Sequence, residues 1–175
     1  AITYGMNPLF ALPLLNAGMS ASGVLFYRYL LAIPIIGIIM LLKKMSFKTD
    51  KRKLITLALL GVLMGISSLT LFKSYGYMNA GIASTMLFVY PLMVAVIMII
   101  FFKERFSWVT FVALALSLLG ISFLYKGEGG ETLSLVGTLL VMGSALSYAI
   151  YIVAVRHTDV KNLPPLTMTF YVLLF

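Results

Sequence analysis

Apolar residues in this chain do not alternate as they would in a half-buried strand; they run on in long stretches. Five stretches, Ala21–Leu42, 54–76, Ala80–Phe102, 107–125 and 133–155, each approach the roughly 20 residues a helix needs to cross a hydrocarbon core. Shorter apolar pieces, 1–15 and 166–175, precede and follow them. The pattern predicts seven helices, two of them partial. Strands are excluded because the runs are continuous and too long for barrel strands.

Polar residues gather between the runs, and their charge alternates. The first long connection, "KKMSFKTDKRK", holds six basic residues (Lys43, Lys44, Lys48, Lys51, Arg52, Lys53) against one acid, Asp50. "KERF" follows the Ala80–Phe102 run, and Arg156, His157, Asp159 and Lys161 follow the 133–155 run. The alternate connections, "NAGMSAS", "YMN" and "KGEGGET", are neutral or slightly acidic. Basic residues collect in cytoplasmic loops, so this alternation predicts a multi-pass protein of the cell (cytoplasmic) membrane with a cytoplasmic amino terminus. Trp108 and Tyr125, at the two ends of the 107–125 run, suit interfacial anchoring.

Composition agrees. Hydrophobic residues make up 62% and charged residues 10% of 175 positions, with mean hydropathy +1.08. A soluble domain is about 25% charged and about half apolar, so this much apolar surface requires a bilayer. The net charge of +8 needs no nucleic acid, since the topogenic loops account for it and no binding motif accompanies it. Cysteine is absent, which excludes disulfides and thiolate chemistry; no metal or cofactor is implied. The chain has no initiator Met and stops within the apolar run "YVLLF". Residues 1–15 would make only about 22 Å of helix, against a core of about 30 Å. The sequence therefore reads as incomplete at both ends.

Shifting the chain by 144 residues lays "AITYGM" on "ALSYAI" and the "FY" at Phe26 on the "FY" at Phe170, with five identities in 31 positions. Five helices separate the two copies, so they run in opposite directions. Such an inverted repeat is a common plan for secondary transporters. The expected division is a first repeat over 1–126 and the start of a second, inverted repeat over 132–175. The full protein would have about ten helices.

Several segments carry a family resemblance: "TYGMN", "FYRYLLA", "YGYMNAGIASTMLFVYPLMVAVI" and "FFKERFSWVTFVALALSLLGISFL". In this order and spacing the chain resembles the drug/metabolite transporter superfamily, in particular its EamA-type members. The resemblance implies an all-α membrane bundle of two inverted five-helix repeats around a central path, exporting or otherwise moving small metabolites. Two departures stand out. Tyr4-Gly5 replaces the usual Trp-Gly, and Lys73 occupies a position expected to be apolar or small.

Ionisable groups at membrane depth are costly and usually functional. Two occur, Arg28 and Lys73, and no Asp or Glu lies deep in any run. Glu104, between Lys103 and Arg105, reads as a boundary salt bridge or helix-start charge. Arg28 and Lys73 would share one layer if their helices are neighbours, and could there attract an anionic group; the alternatives are snorkelling of Arg28 to headgroups and its pairing with a carboxylate in the expected further helices. Ser67, Thr70, Lys73 or Ser74, and Tyr77 recur on one helical face, either as interhelical hydrogen-bonding groups or as a path lining. Gly61 and Gly65 form a GxxxG pattern suited to close helix approach. Tyr4 and Asn7 share one face of the first helix, and Ser144, Tyr148 and Tyr151 one face of the sixth. Pro91 must free the carbonyl of Leu87, while Pro8 and Pro13 make the first helix irregular.

The candidate substrate-binding set is therefore Arg28, Lys73, Tyr4, Asn7, Tyr77, Tyr148 and Tyr151, with Ser67, Thr70, Ser74 and Pro91 as path-lining or kink positions. The expected function is secondary transport of small polar metabolites, amino-acid-like or otherwise anionic or zwitterionic. The expected partners are that substrate and the lipid bilayer, with homodimer formation left open. The alternatives are a non-catalytic membrane assembly subunit and an intramembrane enzyme. The enzyme lacks parts: one His in a loop, no buried carboxylate pair and no GxSxG elbow.

Overall fold

A computed structural model describes residues 7–104 and 134–175, together with six isolated positions between them. The two continuous described stretches form seven helices: α1 (Asn7–Asn16), α2 (Ala21–Leu42), α3 (Lys51–Ser74), α4 (Ala80–Met86), α5 (Tyr90–Phe102), α6 (Leu135–His157) and α7 (Pro165–Leu174). The 3-10 turns Leu87–Val89 and Asp159–Asn162 complete the helical elements, and no strand occurs among the described residues. Among the described residues four units are long and apolar enough to cross a membrane: α2, α3, the continuous α4–α5 run and α6. The span expected at 107–125 falls mainly outside the described residues.

Local chemistry explains the boundaries. The side-chain oxygens of Ser20, Asn79 and Ser134 accept from the backbone N–H groups of Gly23, Gly81 and Gly137, satisfying orphan donors at the starts of α2, α4 and α6. Helix α3 begins at Lys51, three residues before its apolar run, because lysine and arginine are good helix formers. Pro91 acts where the sequence places it. It cannot donate to the Leu87 carbonyl, and the chain tightens into the 3-10 turn, in which the Tyr90 N–H takes that carbonyl instead. Pro34, by contrast, lies inside α2 without ending it.

Helix α3 is the hub. It packs most extensively against α6, which runs antiparallel to it, and also against α7 and α2. Two buried clusters stabilise these contacts. One joins Leu71 and Phe72 of α3 to Val141 and Ala145 of α6, Val24 and Leu25 of α2, and Leu87. The other, towards the opposite end of α3, joins Leu57 and Leu60 to Val160 and Val172. At Gly61 a Cβ would lie 2.9 Å from the Val172 carbonyl oxygen, so α7 approaches the α3 backbone there. The second glycine of the pattern differs, since a Cβ at Gly65 meets nothing within 4 Å. Large apolar side chains such as Phe26, Leu31, Leu42, Phe101 and Leu139 point outward, as lipid contact allows.

Candidate functional site

The site is built along α6, which meets α3 on one side and α5 on another. Between the two buried clusters, Ser67 and Ser144 face each other, and both are buried. The Ser144 hydroxyl donates to the Ser67 carbonyl at 2.6 Å, and the Ser67 hydroxyl donates to the Ser144 carbonyl at 3.0 Å. Thr70 turns its hydroxyl back onto the carbonyls of Ile66 and Ser67, and Ser74 donates to the Leu71 carbonyl at 2.6 Å. Neither the Ser67 nor the Ser74 hydroxyl faces open space. Ser67 makes the interhelical bond that the sequence left as one of two readings.

One turn beyond Ser144, α6 presents Tyr148 and then Tyr151. The Tyr148 ring meets Tyr90 edge to face at 4.8 Å and 84°, and lies nearly parallel to Tyr151 at 5.8 Å. Tyr90 stands immediately before Pro91, where the 3-10 turn hands the chain to α5. This third tyrosine was missed in the sequence, although its place beside the proline kink was a usable signal.

Hydrogen bonding divides the half-buried tyrosines into two groups. The hydroxyls of Tyr29, Tyr75 and Tyr171 are bonded to Ser68 Oγ, Ser84 Oγ and the Phe47 carbonyl at 2.8, 3.0 and 2.6 Å. Those of Tyr90, Tyr148 and Tyr151 bond to no described residue, although all three rings are half-buried. A phenol placed at membrane depth ordinarily finds a partner, and a hydroxyl left without one in the protein is suited to water or a ligand.

The cations belong to α2 and α3. The Arg28 guanidinium carbon is 6.0 Å from the centre of the Phe72 ring, within cation–π range. Because Phe72 immediately precedes Lys73, the contact sets Arg28 at the height of that turn. Helices α2 and α3 are in contact, as a shared cation layer requires, and both Arg28 and Lys73 are exposed in the described structure. Tyr77 is exposed in the turn after α3, its Cβ 3.2 Å from where a Cβ on Gly137 would lie. Asn7 opens α1, but its side chain lies outside the described residues, as does all of Tyr4. Among the described residues no group of three or more His, Cys, Asp or Glu could hold a metal.

A cavity of about 250 Å³ opens elsewhere, between α2, α3 and α7, with Phe26, Leu30, Ile33, Met64 and Gly65 in its wall. It is an apolar gap. Its tyrosine, Tyr29, has its hydroxyl committed to Ser68, so it offers little to orient a polar molecule. At the far end of α5 the boundary reading of Glu104 is realised, since its carboxylate pairs with Arg156 at 3.0 Å. Beside it the His157 ring stacks on Phe102 at 3.7 Å. The ion pair is largely exposed and contributes at most about 1 kcal/mol.

These features define a polytopic helical membrane protein with a polar and aromatic seam inside its bundle. The model of the EamA-like transporter family matches residues 1–126, and the chain belongs to that family. This agrees with the resemblance carried by the sequence motifs. The chain is also 33% identical over 75 residues to the uncharacterized transporter YdfC of Bacillus subtilis (strain 168). That alignment covers 43% of this chain and 24% of the relative, so the chain spans about a quarter of that relative's length. No solved structure matches the chain.

Proposed function

We propose that the chain forms part of a secondary transporter that moves small polar metabolites, anionic or zwitterionic, across the cytoplasmic membrane. In this reading residues 1–126 are a first repeat and 132–175 open a second, inverted one. The Tyr90–Tyr148–Tyr151 cluster lines the path at the contact between them. The observation that carries the reading is the division of the half-buried tyrosines. Three phenols are bonded within the protein, and three at one helix contact keep their hydroxyls unbonded to any described residue. Hydroxyls held on rigid rings suit the recognition of polar groups. Arg28 and Lys73, in one layer nearer the α3 carboxyl end, supply the charge that favours an anionic group. The tyrosines would orient the polar remainder of the substrate.

The test is transport by the full-length protein in proteoliposomes against a panel of carboxylates, phosphates and zwitterions. Tyr148→Phe and Tyr151→Phe should raise the apparent KM severalfold with little change in thermal stability. Unchanged transport in both variants would remove the cluster from the path.

A further inference from the structure

The connection between α2 and α3 is more ordered than a topogenic loop requires. Helix α2 closes with the N–H groups of Lys43, Lys44 and Met45 bonded to the carbonyls of Ile39, Leu41 and Met40 at 2.9–3.0 Å. Lys44 takes the left-handed conformation, φ 53°, at the position where glycine is the ordinary choice. From Met45 to Asp50 the chain is non-helical and its exposure alternates. Met45, Phe47 and Thr49 are half-buried, while Ser46, Lys48 and Asp50 are exposed.

This strip is fastened to a third helix. The Tyr171 hydroxyl of α7 donates to the Phe47 carbonyl at 2.6 Å, and the Phe47 ring packs edge to face on Phe170 at 5.5 Å. Lys43, Lys44, Lys48, Lys51 and Arg52 are exposed and Lys53 is half-buried. Asp50 is the single acid within the strip, and Asp159 lies in the 3-10 turn that packs on α3. Because α2 and α3 both span the bilayer, the strip lies at headgroup level, whichever way the protein is oriented.

We propose that this surface binds the phosphate-bearing headgroups of anionic phospholipids and that, through the Tyr171–Phe47 contact, bound lipid fastens α2 and α3 to α7. Setting orientation needs only a number of basic residues near a span; it does not need them on a backbone pinned to another helix. Basic clusters beside membrane helices attract anionic headgroups, and each cation contributes a roughly fivefold gain in affinity. The inference does not depend on the transport reading.

The test uses the full-length protein in nanodiscs of phosphatidylcholine, with and without phosphatidylglycerol, and follows thermal unfolding and retained lipid by native mass spectrometry. Phosphatidylglycerol should raise the unfolding temperature and stay bound, and added salt should reduce the shift. Lys48→Gln with Arg52→Gln should cut retention at least about fivefold, whereas Lys103→Gln, at the end of α5, should not. Tyr171→Phe keeps every charge and should lower the lipid-dependent shift while still retaining lipid. Equal retention by the double variant and the wild type would overturn the proposal. So would an equal shift with inorganic phosphate in place of the lipid, which would make the ligand a soluble anion.

Discussion

Ser67 and Ser144 exchange hydrogen bonds across the α3–α6 contact, each hydroxyl donating to the other residue's carbonyl at 3.0 and 2.6 Å. Both carbonyls belong to helices, so losing a hydroxyl strands no acceptor. Interhelical bonds in membranes average about 0.6 kcal/mol and reach about 1.7. Ser67→Ala and Ser144→Ala should each cost about 1 kcal/mol or less in detergent unfolding. Ser144→Leu forces a large side chain into a closed contact and should cost about 1–3 kcal/mol. A larger loss in Ser144→Ala than in Ser144→Leu would show that bonding rather than space governs the contact.

Gly61 and Gly65 look alike in the sequence and differ in the structure. A Cβ at Gly61 would sit 2.9 Å from the Val172 carbonyl oxygen and 3.0 Å from the Phe175 Cβ, and backbone cannot swing aside. Gly61→Ala should displace α7 and destabilise by about 1–3 kcal/mol. Gly65→Ala enters open space and should be neutral or slightly stabilising. Thermal melts of the two variants check the contrast.

Arg28→Lys keeps a charge at the Phe72 ring but loses the planar fork that grips carboxylate or phosphate bidentately. If Arg28 holds substrate, this variant should weaken apparent affinity for anionic substrates about tenfold, the worth of roughly 1.4 kcal/mol. Lys73→Met should weaken it further. Normal affinity in both, at matched expression, would make Arg28 an interfacial anchor.

The chain has no cysteine, so single introduced thiols report on topology without background. Lys48→Cys and Gly76→Cys lie at exposed positions beyond opposite ends of α3. An impermeant maleimide on intact cells should label Gly76→Cys, and Lys48→Cys only after permeabilisation. The reverse order would invert the proposed orientation.

Helices and loops were legible because a bilayer imposes one length and one polarity on every span. Pro91 was legible too, since a missing N–H has a local consequence. The site was harder. A 3.6-residue period showed that Ser144, Tyr148 and Tyr151 share a face, but a period does not say which helix meets that face. Ser144 therefore met Ser67, while Tyr148 met Tyr90, a residue with no pattern of its own. Gly61 was separable from Gly65 only once α7 was in place, because close approach is a property of two helices.

The 3-10 turn at Leu87–Val89 has a mechanical consequence. In an unbroken helix, bending means stretching hydrogen bonds along one side. Here the Leu87 carbonyl takes the Tyr90 N–H in place of the one Pro91 lacks, so a bend at this turn stretches fewer α-helical bonds than it would elsewhere in the span. Beyond this turn α5 meets α6 at two places, Tyr90–Tyr148 beside the turn and Glu104–Arg156 with Phe102–His157 at the far end. A bend at the turn would therefore bear first on Tyr90 and on its contact with Tyr148.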